Sequence, residues 1–337
     1  KTLITGGTGF VGLNVAEELL LKGGSVIVLG DRAMPAFASE KLKGAGGELM
    51  EIICDVSDGS AVQEIFERFR PGRVIHAAVI TAGEEREFRE FNRVVDVNIK
   101  GTANVLQSAL NTGTDKVVYV SSGSAYGNAL FAGAQLLEES PLVPDSLYSI
   151  TKHASERICA RFRHARSLNV TCVRLGSVFG PWERNTGVRD TLSLPMQILQ
   201  LALRGEEIRF PAKEPNRDWI YSRDVAGGLA KVLEAPSFRH DVYNLGSGYR
   251  WSGVAADWCS SLRAVVPGLR ARPAEAGEQP NVVFFGERDR SMMSIERLKS
   301  ETGFKPRFDQ DGACEDYAVW VRENQAYFQG ERCGATQ

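Results

Sequence analysis

The chain opens on a short apolar run at residues 1–5. Glycines follow, and then a stretch at 10–22 in which Val11, Val15 and Leu19 recur at helical spacing. Gly23 and Gly24 mark the end of that helix. Ser25–Gly30 reads SVIVLG, a β-branched apolar run of the kind that forms a strand buried on both faces. The alternation continues, with strands expected at 51–54, 73–76, 116–120 and 170–174 and helices at 61–69, 91–111 and 148–167. Apolar strands that alternate with helices predict an α/β fold: a doubly wound parallel sheet covered on both sides.

Beyond Gly176 the pattern loosens. Residues 180–189 (GPWERNTGVR) are polar and turn-rich, 194–204 are helical in pattern, and 217–235 read as a turn followed by a helix. Residues 242–248 (VYNLGSG) supply one more strand, and the tail from Tyr249 mixes helices with short strands. No internal repeat and no low-complexity linker divides the chain. A smaller C-terminal α/β unit (about 176–216 plus 249–337) is therefore expected to interleave with a larger first one (1–175 plus about 217–248). The charged run EEREFRE at 84–90 reads as a solvated loop or helix face.

Composition adds mostly exclusions. Of 337 residues, 43% are hydrophobic and 24% charged, as in an ordinary soluble globular protein. The net charge of −2 offers no footprint for nucleic acid or a membrane surface. No apolar run is long enough for a membrane span, and the N-terminal residues read as fold and not as a signal peptide. Six cysteines form no CxxC pair and four histidines are scattered, so free thiols in a reducing cytoplasm are expected, with no metal site.

The first chemistry lies at TGGTGFVG, residues 5–12. Gly7, Gly9 and Gly12 fit G-x-G-x-x-G, and Gly6, Gly9 and Gly12 fit G-x-x-G-x-x-G. Either spacing alone is weak. Here the glycines follow a strand and open a helix, where a tight turn lets backbone approach a pyrophosphate and free N–H groups face it. This is a Rossmann-type arrangement, with Gly6, Gly9, Phe10, Val11 and Gly12 at the phosphates. Asp31 closes the next strand nineteen positions after Gly12, where a carboxylate accepts from both adenosine ribose hydroxyls and repels a 2′-phosphate, favouring NAD. Arg32 works the other way, since a guanidinium can receive that phosphate or stack on adenine. Asp55, beside Val56, either meets the adenine amino group or caps the helix that begins near Ser57. Ala77 and Ala78 are small enough to leave the cofactor room.

Tyr148 and Lys152 (YSITK) are four residues apart, which puts both on one face of a helix. A cation beside a phenol stabilises the phenolate, so Tyr148 can take a proton from a carbinol while hydride leaves to a nicotinamide. Ser122, in VVYVSSGSAYG, can hydrogen-bond the same substrate oxygen.

With these motifs in order the chain resembles an extended short-chain dehydrogenase/reductase, of the NAD-dependent epimerase/dehydratase family of sugar enzymes. The resemblance covers nearly the whole chain: TGGTGFVG, Asp31, HAA, VNIKGT around Asn98, SSGSAYG, YSITK, RDWIYSRDVA and VYNLGSG. It implies NAD as cofactor, Tyr148 as acid/base and a cofactor contact, Ser122 as the catalytic Ser/Thr, Lys152 also on the nicotinamide ribose, and Asn98 as a polar helix group that supports the site and counts among the cofactor contacts. It also implies a homodimer in which the 91–111 and 148–167 helices pair across the interface.

Departures from the family pattern narrow the reaction. Members that dehydrate carry an Asp-Glu pair directly after the catalytic Ser/Thr, where this chain has Gly123 and Ser124, so dehydration is not expected. No Cys base lies near this loop. Nucleotide-sugar members read R-x-x-N-V-Y-G-P; here Ser177 replaces the Asn, in RLGSVFGP. Arg184, Arg189 and Arg217 follow, and guanidinium forks suit a carboxylate or phosphate; the alternative of solvated loop charges stays open for Arg184 and Arg189, and a role without substrate contact stays open for Arg217. Arg288 and Arg290 fall where relatives meet the anionic part of the substrate. With Ser122, Ser124, Tyr148 and Ser177, the three arginines Arg184, Arg189 and Arg217 make the expected substrate wall. The expected function is oxidation of a sugar carbinol, ending in nucleotide-sugar 4-epimerisation, or in net dehydrogenation or reduction of a sugar acid or other polyol carbonyl. A non-catalytic NAD-sensing role fits poorly, because Tyr148 and Lys152 are both kept.

Overall fold

Eleven strands form among the residues that this computed structural model describes, 1–284, 286 and 288–328. They are β1 (Thr2–Thr5), β2 (Ser25–Gly30), β3 (Glu48–Ile53), β4 (Arg73–His76), β5 (Lys116–Ser122), β6 (Val170–Leu175), β7 (Ser177–Phe179), β8 (Ile208–Phe210), β9 (Trp219–Tyr221), β10 (Val242–Leu245) and β11 (Ala271–Pro273). Seven build one parallel sheet in the order β10-β6-β5-β4-β1-β2-β3. The chain leaves β1 for one side and returns to the other at β4. In such sheets ligands bind at this switch point, outside the C-terminal strand ends.

Side chains alternate across the sheet as the pleat requires. Ile4, Val28, Ile75, Val118 and Val173 enter one core with the Phe10–Leu21 and Ser222–Glu234 helices. Leu3, Ile27, Val74, Tyr119 and Cys172 enter the other, with the Gly59–Phe69, Gly101–Thr112 and Leu147–Arg166 helices. Both faces are thus covered. The central strands β1 and β6 are buried along their whole length, as their apolar runs require.

Three expectations change in detail. β3 starts three residues earlier than expected; as the edge strand its residues are exposed or half-buried, so its apolar signal is thin. The expected 91–111 helix is α-helical at Phe91–Val95, π-helical at Asp96–Lys100 and α-helical again from Gly101. The loosened region beyond Gly176 holds two small parallel sheets, β7 with β9 and β8 with β11, whose three-residue strands are too short to show a period.

The region beyond β6 is welded to the first by aromatic packing. Trp182, Trp320, Tyr327 and Phe37 cluster with centroid separations of 5.2–6.4 Å. Cys54, Cys159, Cys172, Cys259 and Cys314 are buried free thiols, and Cys333 lies outside the described residues. Among the described residues no helix is long and apolar enough to cross a membrane.

Candidate active site

The glycine turn sits at the switch point. Gly6 has φ +64°, and a Cβ there would lie 2.7 Å from the Ala77 and Ala78 backbone of the β4 loop. A Cβ on Gly12 would stand 2.2 Å from the Gly6 carbonyl, so the first helix can approach the turn only without a side chain. Gly9 is the N-cap of the twelve-residue Phe10–Leu21 helix and supplies no capping side chain. The positive end of a full helix thus opens into the cleft, as a pyrophosphate requires.

From that turn one continuous cleft of about 610 Å³ runs past Asp31, Arg32, Asp55, Val56, Ala77 and Ala78 to Ser122, Tyr148 and Lys152. Asp31 points its carboxylate out of the end of β2, 45% exposed, with the Arg32 guanidinium 3.3 Å away. Asp55 accepts from the Ser57 N–H at 2.9 Å and pairs with Arg93 at 2.6 Å. It does not cap the next helix, which begins at Gly59 and is capped by Asp58 at 3.0 Å. Asn98 is not among the lining residues. Its side-chain oxygen accepts from Ile80 N–H, and its amide donates to the Ile80 carbonyl and to Thr151 Oγ1, at 2.8–3.0 Å. It therefore splints the β4 loop to the helix that carries Tyr148 and Lys152, and stands behind the cleft wall. The cradle, the uncapped helix and the exposed carboxylate fit a dinucleotide.

The corner that holds Ser122, Tyr148 and Lys152 is set by two element ends. Ser122 is the last residue of β5, and its hydroxyl accepts from Ser124 N–H at 3.1 Å. Ser146 caps the Leu147–Arg166 helix in a reciprocal box with Ser149, which fixes the first turn and hence Tyr148. Burial raises the Tyr148 phenol above its ordinary pKa, while the Ser122 and Thr81 hydroxyls and the charge of Arg189 pull the other way. Lys152 is buried and donates to the Val120 carbonyl at 2.7 Å, with its ammonium 4.9 Å from the Tyr119 ring and 5.9 Å from the Tyr148 ring. Burial pushes that ammonium down to about 8, against the opposing carboxylate of Glu156.

Beneath Lys152 lies a buried ionic layer. Glu156 accepts from Ser121 Oγ at 2.6 Å and from Arg174 Nε and Nη2 at 2.9 and 2.7 Å. His76 ends β4 in full burial, its ring between Thr5 Oγ1 at 2.6 Å and Thr102 Oγ1 at 3.0 Å. Burial, assisted by the Lys152 charge, pushes its pKa from 6.5 down to about 3. Between those two values the unfolded chain binds a proton that the native state refuses, so stability is full above pH 6.5 and is lost as pH falls toward 3. The slope from this residue reaches at most about 1.4 kcal/mol per pH unit. His76→Asn is expected to flatten stability between about pH 6 and 4 in denaturant titrations; an unchanged slope would refute the assignment.

The opposite wall is basic. Ser124, Ser177, Arg184, Arg189, Arg217 and Arg290 all line the cleft, whereas Arg288 turns its guanidinium onto the Phe131 ring at 3.9 Å. Arg189 pairs with the buried Glu183 at 3.1 Å. Arg217 is buried and donates to the carbonyls of Asn216, Arg288 and Gly286, so much of its donor capacity faces backbone. Burial and the neighbouring Arg290 charge push its pKa down to about 10. The charged 84–90 run is the expected helix face over Glu84–Arg89, with no buried residue, but two of its charges are engaged: Arg86 grips the 187–190 loop and Glu87 accepts from Leu147 N–H. Sequence reading missed Thr81, Arg86, Glu156 and Glu183. Only Glu156, one helical turn beyond Lys152, carried a readable signal.

The profile of the NAD dependent epimerase/dehydratase family matches residues 2–246. A dTDP-glucose 4,6-dehydratase of Xanthomonas campestris pv. campestris (strain B100) is 24% identical over 358 residues, covering 99% of each chain. A UDP-glucuronate 4-epimerase of Thermodesulfobacterium geofontis is 28% identical over 256 residues, covering 73% of this chain and 75% of its own. The structure of the Thermus thermophilus UDP-glucose 4-epimerase complexed with NAD superimposes with a TM-score of 0.74 at 25% identity, covering 96% of this chain and 99% of that one. With a family match spanning both the glycine turn and the Tyr148–Lys152 helix, the chain belongs to the NAD-dependent epimerase/dehydratase family of enzymes.

Proposed function

We propose that the protein oxidises the C4 carbinol of a nucleotide sugar and returns the hydride to the opposite face, acting as a 4-epimerase. One observation carries the reading: Ser122, Tyr148 and Lys152 meet in the cleft that the glycine turn opens, and the residues after Ser122 are Gly123 and Ser124, neither of them an acid. Bound NAD supplies the hydride acceptor. Tyr148, as phenolate, takes the hydroxyl proton as the C–H hydride departs, and gives it back when the ketone is reduced on its other face. Ser122 donates to the substrate oxygen. Lys152 has two ammonium protons beyond the one on Val120, enough to hold a ribose hydroxyl, and its charge favours the phenolate. Gly123 and Ser124 offer no group to protonate a leaving hydroxyl, which argues against dehydration.

The basic wall of Arg184, Arg189, Arg217 and Arg290 supports an anionic substrate, as the diphosphate of a nucleotide sugar would be. Arg189 acts on the Tyr148 phenol from this wall. That proximity supports a carboxylate on the sugar itself, in line with the relative named UDP-glucuronate 4-epimerase. The second reading, net dehydrogenation of a sugar acid, draws on the same arginines and on Ser177 in place of the family's Asn.

A screen of UDP-hexoses, UDP-hexuronates and free sugar acids, followed by absorbance and product stereochemistry together, tests both. Inverted C4 product with no accumulating NADH is expected. Stoichiometric NADH would overturn epimerisation in favour of the dehydrogenase.

We further propose a homodimer through the 91–112 and 147–166 helices, whose outer side exposes Phe91 and Ile150 at 53% and 47%. A monomer in sedimentation at micromolar concentration would refute it. The domain division expected from the sequence is retained in the proposal, as is a reducing cytoplasmic setting for the free thiols.

A further inference from the structure

The loop that carries Arg184 and Arg189 continues across the cofactor end of the cleft. On the adenosine side, Arg32 donates to the Thr186 carbonyl at 2.9 Å. On the far side, beyond β4, Thr81 N–H donates to the Val188 carbonyl at 3.0 Å, and Gly83 N–H donates to Asp190 Oδ2 at 2.6 Å. Arg86 adds bonds to the carbonyls of Gly187 and Val188 and reaches Asp190 Oδ1 at 3.3 Å. Residues 186–190 thus form a strap tied to both banks, with Thr186, Val188, Arg189 and Asp190 facing the same cleft whose floor is the glycine turn.

The root of the strap is fixed and its span is not. At the root, Asn14 donates to the Pro181 carbonyl and the Trp182 indole donates to Glu17, both at 2.8 Å, so the loop is anchored on the glycine-turn helix itself. The span has no buried side chain; Asn185, Gly187 and Asp190 are exposed and the others half-buried. It is held by polar bonds alone. A segment with so little apolar burial opens locally at small cost, and its latch decides how often. The Arg86 side chain is only 15% exposed, which shields that latch from water better than the Arg32 contact at 55%.

We propose that Arg86 and Asp190 latch the 186–190 strap over the dinucleotide and so set the rate at which cofactor enters and leaves. They are positioning residues and touch no reacting atom. The purpose of the latch rests on the epimerase reading, in which one cofactor must stay in place between the two hydride transfers. Its test does not, because no sugar is needed.

The full chain loaded with NAD is mixed with excess radiolabelled NAD, and label uptake is timed beside the equilibrium affinity, for the native protein, Arg86→Ala and Asp190→Ala. Loss of charge-assisted hydrogen bonds should speed exchange in Arg86→Ala by about tenfold, and by no less than about threefold. Affinity should weaken by a smaller factor, because an unlatched strap speeds entry as well as exit. Exchange less than about threefold faster would overturn the latch. So would exchange and affinity that change by the same factor, the signature of a lost static contact. If Arg86→Ala does not fold, Asp190→Ala is judged by the same two criteria.

Discussion

Tyr148→Phe is expected to lower turnover by about 10²–10⁴-fold while leaving the dinucleotide bound. The substitution removes one oxygen and little else. The helix start does not depend on it, since Ser146 and Ser149 cap the first turn. Lys152 keeps its bond to the Val120 carbonyl, and Ser122 keeps its bond from Ser124 N–H. What disappears is the oxygen that we propose accepts the carbinol proton. Burial outweighs the Ser122 and Thr81 hydroxyls and the Arg189 charge and holds the phenol above its ordinary pKa; in the proposed reaction the Lys152 charge and an oxidised nicotinamide would supply the further stabilisation that the phenolate needs. NAD content, measured by release on denaturation, should match the native protein. Turnover within about tenfold of native at saturating substrate would remove Tyr148 from the acid/base role.

Glu156→Ala is expected to cost about 3–5 kcal/mol of stability, because it leaves a buried guanidinium without its partner. Arg174 and Glu156 are 2% and 3% exposed. Burial disfavours the Arg174 charge, yet its bonds to Glu156 and the charge of that carboxylate raise its pKa overall. Removing the carboxylate also frees Ser121 Oγ, one residue before Ser122. Replacing both charges, as in Glu156→Leu with Arg174→Met, should cost far less than the single change, since a buried pair exchanged for apolar volume is often neutral. Chemical denaturation of the single and double variants decides the matter; equal losses would show that the pair's mutual charge is not what counts. A kinetic consequence accompanies it. Glu156 favours the charged form of Lys152, so its loss should move the lysine's titration below its present value of about 8. The alkaline fall in activity should then begin at lower pH.

How much of this was visible in the sequence follows from where information is local. The seven-stranded sheet was legible because its central strands are covered on both faces and so are largely apolar, with exceptions such as Arg174 in β6 that bring a buried partner. The edge strand β3 and the three-residue strands β7, β8, β9 and β11 carry no such constraint, and their bounds or existence were hidden. The glycine turn was legible for a steric reason, since only glycine admits the 2.2 Å approach at Gly12. Ser122, Tyr148 and Lys152 were legible because spacing within one strand end and one helix fixes them. Thr81, Glu183 and Arg86 were not. Each acts on a partner about ten to a hundred positions away, and nothing in the local sequence marks them. The run at 84–90 shows this best: its charges looked like solvation until the fold brought residues 187–190 against Arg86. Asn98 shows the reverse, a polar residue expected among the cofactor contacts whose two amide protons and oxygen bond Ile80 and Thr151.

The π-turn at Asp96–Lys100 has a bearing on how length can vary along this chain. A π-turn is an α-helix with one residue to spare, so deleting a single residue there would leave a helix with every backbone bond still available. Orientation would be kept as well. Each residue of an α-helix advances the direction of its side chain by about 100°, but the wide π-turn spends its extra residue within one turn, so the segments on either side already hold the phase of an uninterrupted α-helix. Removing Asn98 itself would still cost the β4 loop its tie, through Ile80 and Thr151, to the helix that carries Tyr148 and Lys152. The π-turn is thus the place where this helix can lose a residue without turning one half against the other.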